Sequence, residues 1–315
     1  MKIKGLNEEN IKKISSLKKE DQKTLEYRLN CYKLFKEIPL PKFGPTIDLD
    51  FDEINYYQTS DDNITNDWNK VSCPVKDEFN SLGVISSEEY MDGIGVQYQS
   101  EVIYHNMIQE LLDKNVIFTS IEDAFTRHRD LIDKYFSKIV SPKENKFTAL
   151  NGAVFSGGSF IYIPKNTKLD RPLQSYFRIS SKDLGQFERT LIIVDDNSSL
   201  HYIEGCTAKS YSTSNLHAAV VEIYVGKNST CRYSTIQNWA TNVYNLVTKR
   251  ALVEEGGTME WIDGNIGSSK TMKYPCCVLK GDGSTGTCIT ISVAKDKQHQ
   301  DSGARMIHIG KNTTS

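Results

Sequence analysis

The sequence lacks the features that carry a chain into or across a membrane. No apolar run in its 315 residues approaches the ~20 residues that a membrane-spanning helix needs. Residues 1–8 lack the apolar core of a secretory signal, so we expect the chain to stay in the cytoplasm, a reducing compartment. The formal net charge of −2 leaves no basic excess for nucleic acid or an anionic membrane, and we predict neither as a partner.

Motifs of nucleotide, hydrolytic and zinc chemistry are also missing. The glycines at 152, 157 and 158 form neither a phosphate-binding loop nor a nucleophile elbow. Seven cysteines are an odd number without the spacing of a disulfide framework, and no Cys-x-x-Cys or paired histidine motif supplies a zinc site. We therefore predict free, mostly buried thiols. Cys276 and Cys277 are adjacent, so a strand would point them to opposite faces.

The first 150 residues are typical of a helical N-terminal region. Apolar residues recur at helical spacing over residues 11–17 and 25–35, and the second helix should end before Pro39. Residues 39–62 contain three prolines and an acidic stretch, so we predict a surface linker there. We expect a third helix over about 100–114, where Val102, Met107 and Leu111 can share an apolar side.

From residue 151 onward the chain changes to short β-rich runs, and one tight turn recurs six times. In each copy an aliphatic residue ends a strand, and three positions later stands Asn, Gly or Asp, which readily accept a left-handed backbone. The copies start at Ile163, Val194, Val225, Val253, Leu279 and Ile309, at spacings of 31, 31, 28, 26 and 30 residues. Such short units must stack to bury their apolar faces, which predicts a mainly β protein with a parallel β-helix (β-solenoid) over 151–315. The main structural rival is a propeller, whose blades are longer, at about 40–50 residues.

The sixth turn is followed only by Thr313, Thr314 and Ser315. The strands that should follow it are missing, and so is an element that caps the last coil. On this basis we expect a β-helix that is incomplete at its C-terminus, in a chain that is a fragment of a longer protein.

One cysteine stands out as a candidate nucleophile. Cys206 lies in the segment Glu204-Gly205-Cys206-Thr207, just after a predicted strand and beside a glycine that would give access along the backbone. A thiolate can attack a persulfide and is a soft ligand for iron. From the spacing alone, the favoured interpretation is a cysteine that only packs in the core.

Other candidates depend on strand parity. Lys249 and Ala251 lie on the same face of the predicted strand, so the Lys249 ammonium would point toward an apolar interior, and such burial would indicate function. The residues on the opposite face are also partly apolar, so the alternative that Lys249 is exposed stays open. Gln237 and Trp239 share a face, for which cross-strand packing is the simpler interpretation. His217 is interpreted as a structural group rather than a ligand.

Long motifs beyond about residue 96 resemble the SufB family, the scaffold proteins of the SUF pathway of iron–sulfur cluster assembly. The matching segments are 97–101, 104–106, 156–162, 186–190, 202–206, 216–222, 233–239, 245–250, 273–275 and 306–312. Segments 238–245 and 259–267 are most similar to the Gram-positive type of this family.

This resemblance implies a right-handed parallel β-helix that acts as an assembly scaffold and is not an enzyme. The scaffold would accept sulfur and support formation and transfer of a nascent iron–sulfur cluster, of the [4Fe–4S] type in the full-length complex. The implied partners are the SufC ATPase, SufD or a second SufB, and a cysteine desulfurase with a sulfur carrier. Whether a flavin associates is left open.

The resemblance also assigns residues. Cys206 matches the family's internal cysteine that receives sulfur, and the path that sulfur follows through the β-helix is matched by Arg178, Gln237, Trp239 and Lys249. A cation near this path would favour persulfide anions, as it favours thiolates. The family's candidate cluster ligands and the helices that bind SufC lie beyond Ser315, so the metal ligands are unknown.

Two other interpretations stay open. The chain could be a non-functional or purely structural fragment of such a scaffold, because an open β-edge promotes association. It could also be a carbohydrate-active β-helix enzyme, which would need clustered acid and base carboxylates and usually export. The missing signal and the free cysteines count against that enzyme.

Overall fold

The structure is a computed structural model that describes residues 1–60, 64–81, 83 and 89–315. It is mainly β, with 40% strand and 22% helix, and forms a β-solenoid of about five turns preceded by N-terminal helices. The predicted fold class is therefore confirmed. In the ranges described, no helix combines the length and the hydrophobicity that crossing a bilayer requires.

The helices precede the coils. They are α1 (Glu8–Leu17), α2 (Gln22–Glu37), α3 (Cys73–Ser81), α4 (Gln109–Asp113), α5 (Ile121–Arg127), α6 (Arg129–Tyr135) and α7 (Lys146–Val154), with a 3₁₀ turn at Trp68–Lys70. Side-chain caps fix four of the α-helix starts: Asn7 accepts from the N–H of Asn10, Asp21 from that of Thr24, Ser120 from that of Asp123, and Asn145 from that of Thr148. Each cap satisfies a backbone N–H that has no partner within its helix.

The strands run through the rest of the chain. They are β1 (Lys2–Lys4), β2 (Asn55–Gln58), β3 (Gly93–Tyr98), β4 (Glu101–Met107), β5 (Ile117–Ser120), β6 (Ser159–Ile163), β7 (Leu173–Ile179), β8 (Gly185–Gln186), β9 (Arg189–Val194), β10 (Ser199–Ala208), β11 (Asn215–His217), β12 (Val220–Val225), β13 (Thr230–Trp239), β14 (Val243–Val253), β15 (Thr258–Gly267), β16 (Lys270–Lys273), β17 (Cys276–Leu279), β18 (Thr285–Val293), β19 (His299–Ser302) and β20 (Arg305–His308).

Strands of successive repeats pair in parallel in two main sheets. One sheet has the order β18-β15-β13-β10-β7-β3-β4, and the other follows β19-β16-β14-β12-β9-β6-β5 with β8, β11, β17 and β20 alongside. Within these two sheets, as far as the structure describes them, only β3 with β4 and β5 with β6 at the N-terminal end are antiparallel, and the separate pair β1 with β2 is antiparallel as well. Because each coil adds one parallel strand to each sheet, the backbone stacks coil on coil as a solenoid requires.

The repeated turn carries the left-handed backbone that the sequence predicted at five of its six copies. The positive φ angles are 60° at Asn166, 58° at Asn197, 53° at Asn228, 62° at Gly256 and 56° at Asn312. In the fifth copy the prediction of Asp282 is wrong, because Gly283 takes the left-handed position at φ 68°. This copy has one additional residue, and a glycine without Cβ adopts that backbone more easily than aspartate.

The predicted helix over 100–114 is wrong. Residues Glu101–Met107 form strand β4, which pairs with β3, and only Gln109–Asp113 is helical. Pairing with β3 buries Ile103 and Tyr104 in an apolar cluster, and this tertiary contact overrides the helical spacing of the apolar residues. Both main sheets thus receive strands from before residue 151. The division into two domains near residue 150 stays a prediction.

The predicted surface linker is partly buried. Pro45 and Ile47 are buried while Thr46 and Asp48 are exposed, and Ile47 packs in an apolar cluster that joins the N-terminal helices to strands β14 and β16. Further along, residues 55–58 form β2, which pairs with β1. The last two residues of the predicted linker, 61 and 62, lie outside the described residues.

All seven cysteines are free, and five of them are buried, which confirms the predicted thiols. Cys277 packs in the apolar interior of the solenoid. Cys276 instead contacts Arg250 on the other face, as strand alternation predicted.

Candidate functional site

Three rows of inward-facing side chains run along the solenoid, because β10, β13 and β15 pair in register. The aromatic row is Tyr202, Tyr233 and Trp261; the acidic row is Glu204, Thr235 and Asp263; the cysteine row is Cys206, Gln237 and Asn265. All nine residues are buried. The aromatic row packs with the apolar core on one side. On its other side the acidic and cysteine rows form what we call the polar half of the interior.

Cys206 lies within strand β10, not after a strand as the sequence indicated, and its side chain has no exposed surface. Its Sγ donates to Glu204 Oε1 at 3.6 Å. The other carboxylate oxygen of Glu204 accepts from the hydroxyl of Tyr233. The predicted access beside Gly205 is filled, because a Cβ there would lie 2.5 Å from Cδ2 of Tyr176.

The Cys206 sulfur is held as a thiol. Burial raises its pKa well above the ordinary value, and the carboxylates of Glu204 and Glu188 raise it further, while Lys249 and Lys273 act in the opposite direction. Contrary to the expectation from a nearby cation, the two ammoniums do not make Cys206 a thiolate at rest. A thiol is a poor nucleophile, so reaction at Cys206 requires a group that takes its proton.

Lys249 points inward and is only 1% exposed, as the resemblance to the family favoured. Its Nζ donates to Thr235 Oγ1 at 2.6 Å and to Asp263 Oδ1 at 3.2 Å. It also lies 4.5 Å from the ring centre of Tyr233, where the ring face attracts a cation.

A second buried ammonium shares the same carboxylate. Lys273 donates to Asp263 Oδ1 at 3.1 Å and to Gln237 Oε1 at 3.2 Å. Burial, with repulsion from Lys249, lowers the pKa of Lys273 to about 8. Burial would raise the pKa of Asp263, but the two ammoniums outweigh it and hold that pKa at about 2. One carboxylate therefore stabilises two buried cations.

Hydrogen bonds extend this network to a buried histidine. Asn245 Nδ2 donates to Gln237 Oε1 at 2.9 Å, and its Oδ1 lies 2.8 Å from His217 Nδ1. The Nε2 of His217 lies 2.6 Å from Glu188 Oε2. Burial lowers the pKa of His217, but Glu188 outweighs it and raises that pKa above the ordinary value. His217 is thus a hydrogen-bonded structural group.

Two buried donors in this region have no hydrogen-bond partner among the residues described: Gln237 Nε2 and Trp239 Nε1. The ammonium of Lys273 can only donate, so its contact fixes Oε1 of Gln237 and leaves Nε2 as the free end. Trp239 lies in the same apolar cluster as Cys206 and packs on the His217 ring at 4.7 Å. Unpaired buried donors are rare, and here they are available to a bound anion.

The structure does not bring Arg178 to this interior. Arg178 alternates with the inward-facing residues of β7 and lies on the outer face, where it contacts Glu78 at 3.1 Å and Thr207 Oγ1 at 2.8 Å. Four of the five residues assigned from the family, Cys206, Gln237, Trp239 and Lys249, lie in the polar half. Arg178 instead ties helix α3 to the back of the strand that carries Cys206.

Sequence reasoning missed four charged residues of the buried network: Glu188, Glu204, Asp263 and Lys273. Glu204 had a usable signal, because it stands two residues before Cys206 and any strand places both on one face. The sequence contains no such signal for Asp263 and Lys273, because the contact between them depends on the register between neighbouring coils. No group of three or more His, Cys, Asp or Glu side chains in the described part of the chain could hold a metal ion.

The burial of Cys206 predicts strong protection from bulky thiol reagents. A fluorescent maleimide should modify exposed Cys73 about a hundredfold or more faster than Cys206, because a buried strand must open locally before its side chain can react. The rates follow from mass spectrometry of peptides taken over time. Buried Cys231 is the matched control, and all three should react alike in denaturant. A Cys206 that reacts as fast as Cys73 in the folded protein would contradict the closed interior.

Fold and site together define a parallel β-solenoid protein with a thiol and a charged hydrogen-bond network enclosed within its coils. Comparison with known proteins identifies the family of this chain. Residues 177–315 match the family described as "SUF system FeS cluster assembly, SufBD core domain", and residues 89–175 match "SufBD protein N-terminal region". The chain belongs to the SufBD family of iron–sulfur cluster assembly proteins, which confirms the resemblance.

Relatives in two genera support this assignment. The chain is 53% identical to an iron-sulfur cluster assembly SufBD family protein of Staphylococcus saprophyticus, 50% to the iron-sulfur cluster assembly protein SufB of Bacillus subtilis and 52% to a SufBD family protein of Staphylococcus epidermidis. Each alignment covers 314 residues, which is 99% of this chain and 68% of the relative. About a third of each relative's length thus has no counterpart in this sequence.

Proposed function

We propose that the chain is an assembly scaffold of the SufB type, without turnover chemistry of its own, and that Cys206 accepts sulfur inside the solenoid. The observation that supports this most is the position of Cys206 beside a buried network of three carboxylates, two ammoniums and a histidine. Burying so many charges is costly even when they are paired, so a core made only for stability would be apolar. A role in accepting sulfur would account for this cost in stability.

The polar half also offers groups that can stabilise a persulfide in its anionic form. A persulfide is more acidic than a thiol, and the free N–H groups of Gln237 and Trp239 with the ammonium of Lys249 can stabilise it. Cys231, by comparison, packs among apolar residues on the other side of the aromatic row. The packing interpretation thus fits Cys231 better than Cys206.

For the whole protein we propose the partners that the family implies. Sulfur would come from a cysteine desulfurase through a carrier, and the SufC ATPase with SufD or a second SufB would complete the complex in the cytoplasm. The nascent cluster, of the [4Fe–4S] type, is cargo that passes to an acceptor. Membership of the SUF system family supports these partners in general terms.

A carbohydrate-active enzyme is disfavoured by the placement of the carboxylates. Glycoside cleavage needs a carboxylate pair on either side of a bond in an open cleft. Glu188, Glu204 and Asp263 are instead 2–3% exposed within closed coils, where no sugar can reach them.

Sulfur loading of a Cys206→Ser variant tests the proposal. The protein is incubated with desulfurase, carrier and cysteine, alkylated, and analysed by mass spectrometry of the peptide around residue 206. Wild type and the matched Cys231→Ser variant should carry a persulfide on Cys206, and Cys206→Ser should lose the label. Equal sulfur loading of Cys206→Ser, or an equal loss in Cys231→Ser, would overturn the role of Cys206.

A further inference from the structure

Glu204 is the only carboxylate for which the structure shows a direct contact with the Cys206 sulfur in the part of the chain described. The two residues stand two apart on one face of β10, and the S–H of Cys206 is directed at Glu204 Oε1 at 3.6 Å. No ion pair with Glu204 is present among the described residues, unlike Glu188 and Asp263, which contact His217 and the two lysines. Within the described ranges, its carboxylate accepts hydrogen bonds from the side chains of Cys206 and Tyr233 alone.

From this geometry we infer that Glu204 is the general base of sulfur acceptance: it takes the proton of the Cys206 thiol as the sulfur attacks an incoming persulfide. This inference rests on the proposed function. The position of the carboxylate supplies what a buried thiol lacks, a proton acceptor within hydrogen-bond reach.

The step balances without an oxidant. The donor is a persulfide, R–S–SH, held by the carrier, and it meets Cys206 when the strand that carries Cys206 opens locally. As Glu204 takes the Cys206 proton, the thiolate attacks the outer sulfur of the donor; a new S–S bond forms and the donor's S–S bond breaks. The leaving R–S⁻ takes the proton back from Glu204. The products are Cys206–S–SH and R–SH, with no net change in oxidation state.

Charge also favours this arrangement. If Cys206 ionised toward solvent, a new negative charge would lie beside an ionised Glu204 in a closed interior, which costs free energy. When Glu204 takes the proton, the number of negative charges in the polar half stays the same. The Tyr233 hydroxyl fixes the carboxylate, and burial raises the pKa of Tyr233 well above its ordinary value, so Tyr233 stays a donor. We class Tyr233 as a positioning residue.

The test compares wild type with Glu204→Gln in a single-turnover sulfur transfer from desulfurase and carrier, followed as the persulfide on Cys206. Glutamine keeps the shape of glutamate and removes a buried charge, so folding should survive, and a denaturation curve checks it. We expect the rate near neutral pH to fall about 10²–10³-fold, within the range for loss of a general base. The variant's rate should then rise about tenfold per pH unit, because hydroxide must remove the proton.

A second variant separates catalysis from structure. Tyr233→Phe keeps the carboxylate and removes a hydrogen bond that stabilises its charged form, so the acid limb of the pH–rate profile should move to higher pH. A purely structural role of either residue would lower the amount of reactive protein without moving this profile.

The outcomes distinguish the two proposals. A wild type that takes no sulfur on Cys206 overturns the proposed function. A wild type that takes sulfur while Glu204→Gln matches its rate and pH profile overturns the role of Glu204 alone. An unshifted acid limb in Tyr233→Phe would also contradict the positioning role.

Discussion

Replacing Asp263 with asparagine is expected to lower the free energy of unfolding by about 3–5 kcal/mol, the cost of leaving buried charge without its partner. The Asp263 carboxylate is the shared partner of Lys249 and Lys273, and all three side chains are fully buried. Asparagine has the same shape, so the loss isolates the charge. Urea denaturation followed by circular dichroism measures it.

The deficit of the Asp263→Asn variant should shrink as the pH rises. Burial already lowers the pKa of Lys273 to about 8 from 10.5, and loss of the carboxylate lowers it further. Where the folded Lys273 is neutral, the unfolded state binds more protons, so stability increases with pH up to the unfolded pKa of this lysine. The gap between wild type and variant should therefore be larger at about pH 6 than at about pH 9.

The matched control is Glu255→Gln, which breaks the exposed pair with Lys227 and should have a much smaller effect because solvent screens that pair. Equal effects of the two variants, or a deficit for Asp263→Asn that does not change with pH, would contradict the stabilisation of a charged Lys273 by the Asp263 carboxylate.

Replacing Glu222 with glutamine is expected to have a similarly large effect, about 3–5 kcal/mol, at a different place in the molecule. The buried Glu222 carboxylate pairs with the Arg189 guanidinium. It also accepts from the backbone N–H groups of Ser137 at 2.9 Å, Ile139 at 3.1 Å and Val140 at 3.0 Å. One side chain of strand β12 thus fastens the segment that leads from α6 to α7 onto the solenoid.

Glutamine at 222 keeps one acceptor oxygen, but it leaves the Arg189 guanidinium without a carboxylate partner. Its amide N–H₂ group also lies against backbone N–H groups of residues 137–140, and two donors cannot pair. We therefore expect both a lower denaturation midpoint and faster tryptic cleavage at Lys138, which lies within the loosened contact, and at Lys143, which follows it. The control Glu260→Gln breaks the more exposed pair with Arg232 and should change neither. Cleavage at an unchanged rate in Glu222→Gln would show that Glu222 does not hold this segment.

The coils were predictable because the repeated turn depends on local chemistry. A left-handed residue three positions after the strand end is encoded by Asn or Gly, so its recurrence reveals the repeat without any tertiary information. The one misplaced copy, Asp282 in place of Gly283, arose where an additional residue moved the turn.

The error over 100–114 has a different cause. Val102, Met107 and Leu111 have helical spacing, but β3 offers the same segment a full set of backbone partners in a sheet. Spacing over a dozen residues cannot register a strand that lies elsewhere in the sequence, so contact between distant segments decided the outcome.

The candidate site was predictable only in part, for a reason of geometry. Strand parity could place Cys206 and Glu204 on one face. The meeting of Lys273 with Asp263, or of His217 with Asn245, depends on which residue of one coil lies over which residue of the next. That register is set by the whole stack. Resemblance to a family supplied Gln237, Trp239 and Lys249 because it carries register information that a single sequence does not.

The in-register rows have a consequence for how the protein can change in length. Deleting one residue near the start of β13 would turn Tyr233, Thr235 and Gln237 outward and bring in the side chains between them, Ser234 and Ile236. Deleting a whole coil would leave every remaining side chain on its face. Sequences of this architecture can therefore lengthen or shorten only in steps of one complete coil, and insertions of other sizes are confined to the corners between the strands.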